Sequence, residues 1–145
     1  MTTVAFRSLD NAEVIDVEFV TLQGKLRLLK LFVDSGFTGR SSVILGNASV
    51  ELIRAQIPAT QTTGALQGAQ NRAWVTCRIP QLGFQCTLIA IITDVSPLQL
   101  PSGVQGMAGL SFLRQFARWG AKRAENGWQF FLSDDNENSG EPEDL

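Results

Sequence analysis

The chain has 145 residues, 44% of them hydrophobic and 18% charged, with a net charge of −2 and no histidine. That length and apolar content suffice for one domain with a real core. The lack of any imidazole removes the usual base of serine and cysteine hydrolases and a common ligand of zinc sites, and the two cysteines, Cys77 and Cys86, are too few for a zinc site or a disulfide scaffold, so no metal and no cofactor are expected.

Along the chain, Ile15, Val17 and Phe19 alternate with Asp16 and Glu18, the period of a half-buried strand. Gln23-Gly24 makes a turn, and Leu26 to Val33 returns as a strand apolar on both faces, as a central strand should be. Ser41 to Leu45 reads as a short strand, followed by Ala48 to Ile57, helical or irregular. From Thr60 to Ala69, small residues surround Leu66 between Gly64 and Gly68, the composition of a hairpin. Ala73 to Ile79 and Thr87 to Ile92 form two further strands, joined through Pro80 to Phe84, so Cys77 and Cys86 could face each other across a hairpin. Two small residues on a β-ribbon is the favoured reading of that pair, and a disulfide is the other. The stretch Thr93 to Gln105 contains two prolines and is a loop. Beyond it Leu110, Phe112, Leu113, Phe116 and Ala117 follow a helical period that Gly120 should end, and Trp128 to Leu132 supplies the last strand.

These elements predict one domain over residues 1–132 and an acidic tail over 133–145. The tail carries six acids and no base, which leaves the body through Leu132 with eight acids against twelve Lys and Arg. Such a segment is expected to be disordered and to serve solvation, with shielding of the positive body as the lesser reading. Arg114, Arg118, Lys122 and Arg123 recur near helical spacing, as a solvated helix face with cations near its end would. Aromatic interleaving is lacking, so nucleic acid is not an expected partner. The start, MTTVAFRSLDNAEV, has no basic and apolar run of the signal type, and no stretch approaches eighteen apolar residues, so a soluble, cytoplasmic protein with reduced thiols and no membrane partner is expected.

Two segments carry chemistry. Leu31 to Arg40, LFVDSGFTGR, runs an apolar strand into Asp34-Ser35-Gly36, and Gly106 to Phe116, GMAGLSFLRQF, sets two hydrophobic residues and a glycine, Met107, Ala108 and Gly109, ahead of a Phe112-Leu113 pair. An Asp-Ser-Gly triplet alone also suits any strand that ends in an Asx-type turn. Taken together, in this order and separation, the two segments resemble the retropepsin-like, single-lobe aspartic protease family, in a bacterial-type form. The resemblance implies a mainly β fold, a closed barrel of the retropepsin type with one short helix in the C-terminal half, and an aspartic endopeptidase.

That chemistry needs two carboxylates sharing one proton, so the ionised member activates a water while the protonated one hydrogen-bonds the peptide carbonyl. One Asp-Ser-Gly per chain implies a symmetric homodimer that joins two Asp34 carboxylates around a peptide or protein substrate. The resemblance makes Ser35 an inter-loop hydroxyl, Gly36 the residue that keeps the loop tight, and Thr60 to Ala69 a flap whose Gly64, Ala65, Leu66 and Gly68 cover the substrate, with Phe37 and Thr38 at the cleft. Two departures stand out. Phe37 replaces a small residue and should leave the cleft floor crowded or differently shaped, while Leu110-Ser111 replaces the polar bridge between helix and catalytic region, leaving Ser111 to cap the helix. A non-catalytic peptide- or protein-binding module on the same barrel is the alternative reading.

Overall fold

The computed structural model describes residues 2–9, 11–48, 55–62 and 68–134, with the backbone alone for 55–62 and 68–70. Among these residues the chain forms ten strands: β1 (Thr3–Arg7), β2 (Val14–Val20), β3 (Leu26–Val33), β4 (Val43–Gly46), β5 (Ala55–Thr62), β6 (Gly68–Ile79), β7 (Phe84–Thr93), β8 (Gly106–Ala108), β9 (Arg118–Ala124) and β10 (Gly127–Ser133), with one α-helix, α1 (Leu110–Leu113), and two single 3-10 turns at Pro80–Leu82 and Ser96–Leu98. Hydrogen bonding runs in the order β2-β3-β8-β4-β7-β6-β5, and a further pairing of β2 with β6, Glu18 opposite Arg78 and Phe19 opposite Cys77, closes six of these strands into a barrel. The expected mainly β, closed-barrel architecture with one short helix is thus what the chain adopts.

The period-2 pattern explains the closure. Ile15, Val17 and Phe19 of β2, Leu29 and Leu31 of β3, Val43 and Leu45 of β4, Ala73, Val75 and Cys77 of β6 and Ala90 and Ile92 of β7 all turn inward and form one core cluster. A barrel of so few strands has room inside only for its own side chains. Burying one of them, such as Phe19, is worth about 1.5–3 kcal/mol. The second sheet, β1-β10-β9, is antiparallel and lays Phe6, Phe130 and Leu132 against that same core.

Several sequence expectations are corrected. The helix ends at Leu113, where a longer one stopping at Gly120 was expected, and Gly120 lies within β9, opposite Phe131 of β10. The short form follows from the aromatics. Phe84, Phe112 and Phe116 pack as neighbouring rings, with centroids 4.7 to 6.2 Å apart, so the chain must bend after Leu113 to bring Phe116 back onto Phe84. Arg118, Lys122 and Arg123 accordingly sit on a strand, and Arg118 and Lys122 both lie over the ring of Phe131. β3 is internal to the barrel as expected, but its first half is not buried on both faces, since Leu26 and Leu28 are exposed. The strand expected over Ser41 to Leu45 runs instead from Val43 to Gly46, Ser41 and Ser42 being buried just before it. Of the segment left as helical or irregular, residues 49–54 lie outside the description, and Ala55 to Ile57 belong to β5.

β10 continues through Ser133, which is fully buried, and Asp134 closes the sheet by accepting from the Thr2 N–H through its Oδ1 while its own N–H donates to the Thr2 carbonyl. The tail expected to be disordered lies, from residue 135 on, outside the described residues. Among the described residues no helix is long and apolar enough to cross a membrane.

Candidate functional site

The two chemistry-bearing segments, some seventy residues apart, meet side by side. β3 and β8 pair in parallel, with Leu31 opposite Gly106, Phe32 opposite Met107 and Val33 opposite Ala108. At the end of β3 the Val33 N–H donates to the Glu13 carbonyl and the Asp34 N–H to the Ala108 carbonyl, both at 2.9 Å. Asp34 is therefore tied by its backbone to the strand that carries the second motif. It is half-buried, and the loop that follows, Ser35, Gly36, Thr38, Gly39 and Arg40, is exposed around a half-buried Phe37.

The loop is a tight turn. The Gly36 N–H donates to Asp34 Oδ1 at 2.9 Å and the Phe37 N–H to the Asp34 carbonyl at 3.1 Å. A Cβ at Gly36 would stand 3.1 Å from that same Oδ1, tight enough to push the carboxylate off its donor. One carboxylate oxygen is thus oriented by a backbone N–H, and the turn is the Asx type that Asp followed by small residues favours.

Phe37, expected to crowd or reshape the cleft floor, is packed against the start of α1. Its carbonyl accepts from the Leu110 N–H, and its ring lies against Gly109, where any Cβ would overlap both the ring and the carbonyl. The Gly109 N–H donates in turn to the Ser42 carbonyl at 2.9 Å, so the Asp34 loop, the start of α1 and the approach to β4 form one backbone-bonded unit. Ser111 makes a different polar link, its Oγ lying 3.0 Å from the buried Ser42 Oγ just before β4. Ser111 does not cap the helix: Gly109 occupies the N-cap without a side-chain bond.

Against this unit lies a second apolar cluster that periodicity did not reveal. Phe32, Met107, Ile44 and Ile91 are register partners in sequence across β3, β8, β4 and β7, and all belong to a second cluster separate from the barrel interior. Phe37, Val95, Leu98 and Leu100 pack over it, leaving Ile44 and Ile91 only 2% exposed. Each of the four row residues sits inside a continuous apolar run, so alternation gave no sign of which face it takes. An open concavity of about 630 Å³, lined by Arg7, Ser8, Asn11, Glu13 and Trp128 among others, contains no residue of either motif.

The segment expected as a flap spans the end of β5 and the start of β6. β5 and β6 pair antiparallel from Ala55 opposite Trp74 to Thr62 opposite Gly68, with an irregularity between Ile57 and Thr60. Gly64, Ala65 and Leu66 lie outside the described residues, and Gly68 is the first residue of β6. Thr38 is exposed. Asp94 is occupied elsewhere, its Oδ1 accepting from the Ser96 hydroxyl at 2.7 Å and the Ser96 N–H at 3.0 Å, which holds its carboxyl below the ordinary carboxylate range. Among the described residues no three Cys, Asp or Glu side chains gather to hold a metal ion. A comparison with protein-family models finds no match to this chain, and neither does one with curated proteins.

Proposed function

We propose that this protein is a retropepsin-like aspartic endopeptidase, active as a symmetric homodimer in which two Asp34 carboxylates activate the attacking water. The observation that carries the reading is the fixed loop: Asp34 is bonded through its N–H to Ala108, and its Oδ1 accepts from the Gly36 N–H. A carboxylate so held loses little freedom when a second one is brought near it, and preorganised groups of this kind are what a hydrolytic site requires. With both carboxylates close together, repulsion keeps one protonated. The ionised member takes the proton of the water, and the other donates to the carbonyl oxygen of the scissile bond.

The exposed Ser35 beside it provides the surface through which two such loops would meet. The outer row Phe32, Met107, Ile44 and Ile91 favours substrates with apolar side chains next to the cleaved bond, bound in extended form. Cytoplasmic placement belongs to the same reading. One observation favours the alternative of a non-catalytic peptide-binding module: a chain contributes a single such carboxylate, and an Asx turn needs no catalytic purpose.

Asp34→Asn separates the two. The amide keeps the size of the side chain and the acceptor for Gly36 N–H but cannot serve as base. Hydrolysis of an apolar peptide library should vanish while circular dichroism and solution mass stay as in the parent chain. Cleavage by Asp34→Asn within tenfold of the parent defeats Asp34 as the catalytic group, a strictly monomeric parent that cleaves defeats the shared dyad, and a dimeric parent that cleaves no peptide defeats the peptidase assignment.

A further inference from the structure

Cys77 and Cys86 are direct register partners on β6 and β7. Partners in an antiparallel pair have Cα atoms about 4.5 or 5.5 Å apart, and both spacings fall within the roughly 4.4–6.8 Å that a disulfide spans. The two side chains are on the same, inward side: Cys77 is fully buried between Val75 and Ile79 in the barrel core, and Cys86 packs half-buried against that core next to Phe84. Both are free thiols. They are hydrogen-bonded to each other, and the bond drives their acidities apart, Cys77 being held as the thiol and Cys86 moved below the ordinary thiol range. The result is an inner donor and an outer, more nucleophilic sulfur within reach of small solutes, the asymmetry typical of reactive thiol pairs.

We propose that Cys77 and Cys86 are a modification site, a thiol pair that hydrogen peroxide closes into a disulfide across the β6–β7 hairpin. The Cys86 thiolate attacks one peroxide oxygen, forming S–O as O–O breaks, and the departing hydroxide takes up a proton to become water. The Cys77 sulfur then attacks the Cys86 sulfur, S–S forms as S–O breaks, and the hydroxyl leaves as water with the Cys77 proton. Two thiols supply two electrons and one peroxide becomes two waters. The site is independent of the peptidase reading, since neither sulfur belongs to the Asp34 unit, and its test does not depend on cleavage.

The reduced full-length protein is treated with equimolar hydrogen peroxide under native conditions, and in parallel after unfolding in urea. The folded chain should lose two hydrogens in intact mass, lose both titratable thiols, yield a Cys77–Cys86 linked peptide, and regain the original mass with dithiothreitol. It should react faster than the unfolded chain, because folding is what pairs the sulfurs. In Cys86→Ser, Cys77 should stay reduced, and in Cys77→Ser, Cys86 should gain oxygen. The proposal is overturned if the folded wild-type chain adds oxygen at Cys86 while Cys77 stays free, if it links two chains through Cys86, or if it reacts no faster than the unfolded one. The wild-type measurement stands by itself should either variant fail to fold.

Discussion

Replacing Gly109 by Ala adds a single methyl group where the two motif segments touch. The backbone there is extended, φ −99° and ψ −173°, a conformation open to any residue, so the cost is steric alone. The new Cβ would overlap the Phe37 ring and the Phe37 carbonyl, and that carbonyl accepts from Leu110. The ring swings away by losing contact with the Ile44, Ile91 and Met107 cluster, whereas the carbonyl moves only by stretching the Leu110 bond. Overpacking costs about 1–3 kcal/mol, and weakening one buried hydrogen bond about 1 kcal/mol more, giving about 2–4 kcal/mol in all. At roughly 3 °C per kcal/mol for a domain of this size, the melting temperature should fall by about 6–12 °C.

Gly120→Ala is the control, because its Cβ meets the Phe131 ring at 3.5 Å, an ordinary contact, and it should change stability by less than about 0.5 kcal/mol. A double-mutant cycle divides the clash: Phe37→Ala placed on Gly109→Ala removes the ring conflict and leaves the carbonyl conflict, so a coupling of about 1–2 kcal/mol is expected. Chemical denaturation of the four proteins measures it. A Gly109→Ala variant as stable as the parent, or a cycle without coupling, refutes the contact between the two segments as the reason for that glycine.

Ser111→Ala breaks the hydroxyl pair with Ser42 and leaves a buried hydroxyl behind, so about 1–2 kcal/mol of stability should be lost, and the double variant with Ser42→Ala should be less destabilised than the sum of the two singles. For Asp94, held ionised mainly by the Ser96 hydroxyl and also by the Ser96 N–H, the native carboxyl lies below its unfolded value of about 3.9. The stabilisation is therefore present above that value and fades as pH falls through the lower native one. The difference in melting temperature between the parent and Ser96→Ala should be constant near neutrality and shrink below about pH 4, and a difference that widens in acid contradicts the assigned pairing.

The strands of the barrel were legible where one face is polar. Asp16 and Glu18 mark the outside of β2, and Thr76 and Arg78 that of β6, so the period of two could be read directly. β9 was not, and the reason is arithmetic. Arg118 and Lys122 are four apart, which places two residues on one face of a helix, with 3.6 residues per turn, and also on one face of a strand, with two per repeat. RWGAKRA has no β-branched residue to break the tie, and it is pairing with β10 that decides. β1, five residues long, offers only Val4 and Phe6 as a pattern.

For the site, the two motif segments could be seen separately, but their contact depends on parallel pairing of β3 with β8, a three-residue strand whose partner no local signal specifies. The bond between Ser42 and Ser111 was invisible for the same reason. Only a fold that brings residues 69 positions apart to 3.0 Å makes two ordinary serines a bridge.

The filled interior also bears on where recognition occurs. Ile15, Val17, Leu31, Val43, Leu45, Val75 and Ala90 are fully buried inside the barrel, leaving no lumen for a ligand of any size. Specific binding then has to use the outside, and β3 and β8, which meet at Asp34, share with their neighbours β4 and β7 the row Phe32, Met107, Ile44 and Ile91. Its own cover, Phe37 with Val95, Leu98 and Leu100, comes from two loops rather than from strands, so exposing the row requires displacing loop side chains without breaking any barrel ladder. On the proposed reading, an apolar substrate side chain next to the scissile bond replaces part of that cover, exchanging one apolar contact for another. Affinity should then come chiefly from backbone pairing of the extended peptide, and the row should select among peptides by size and shape.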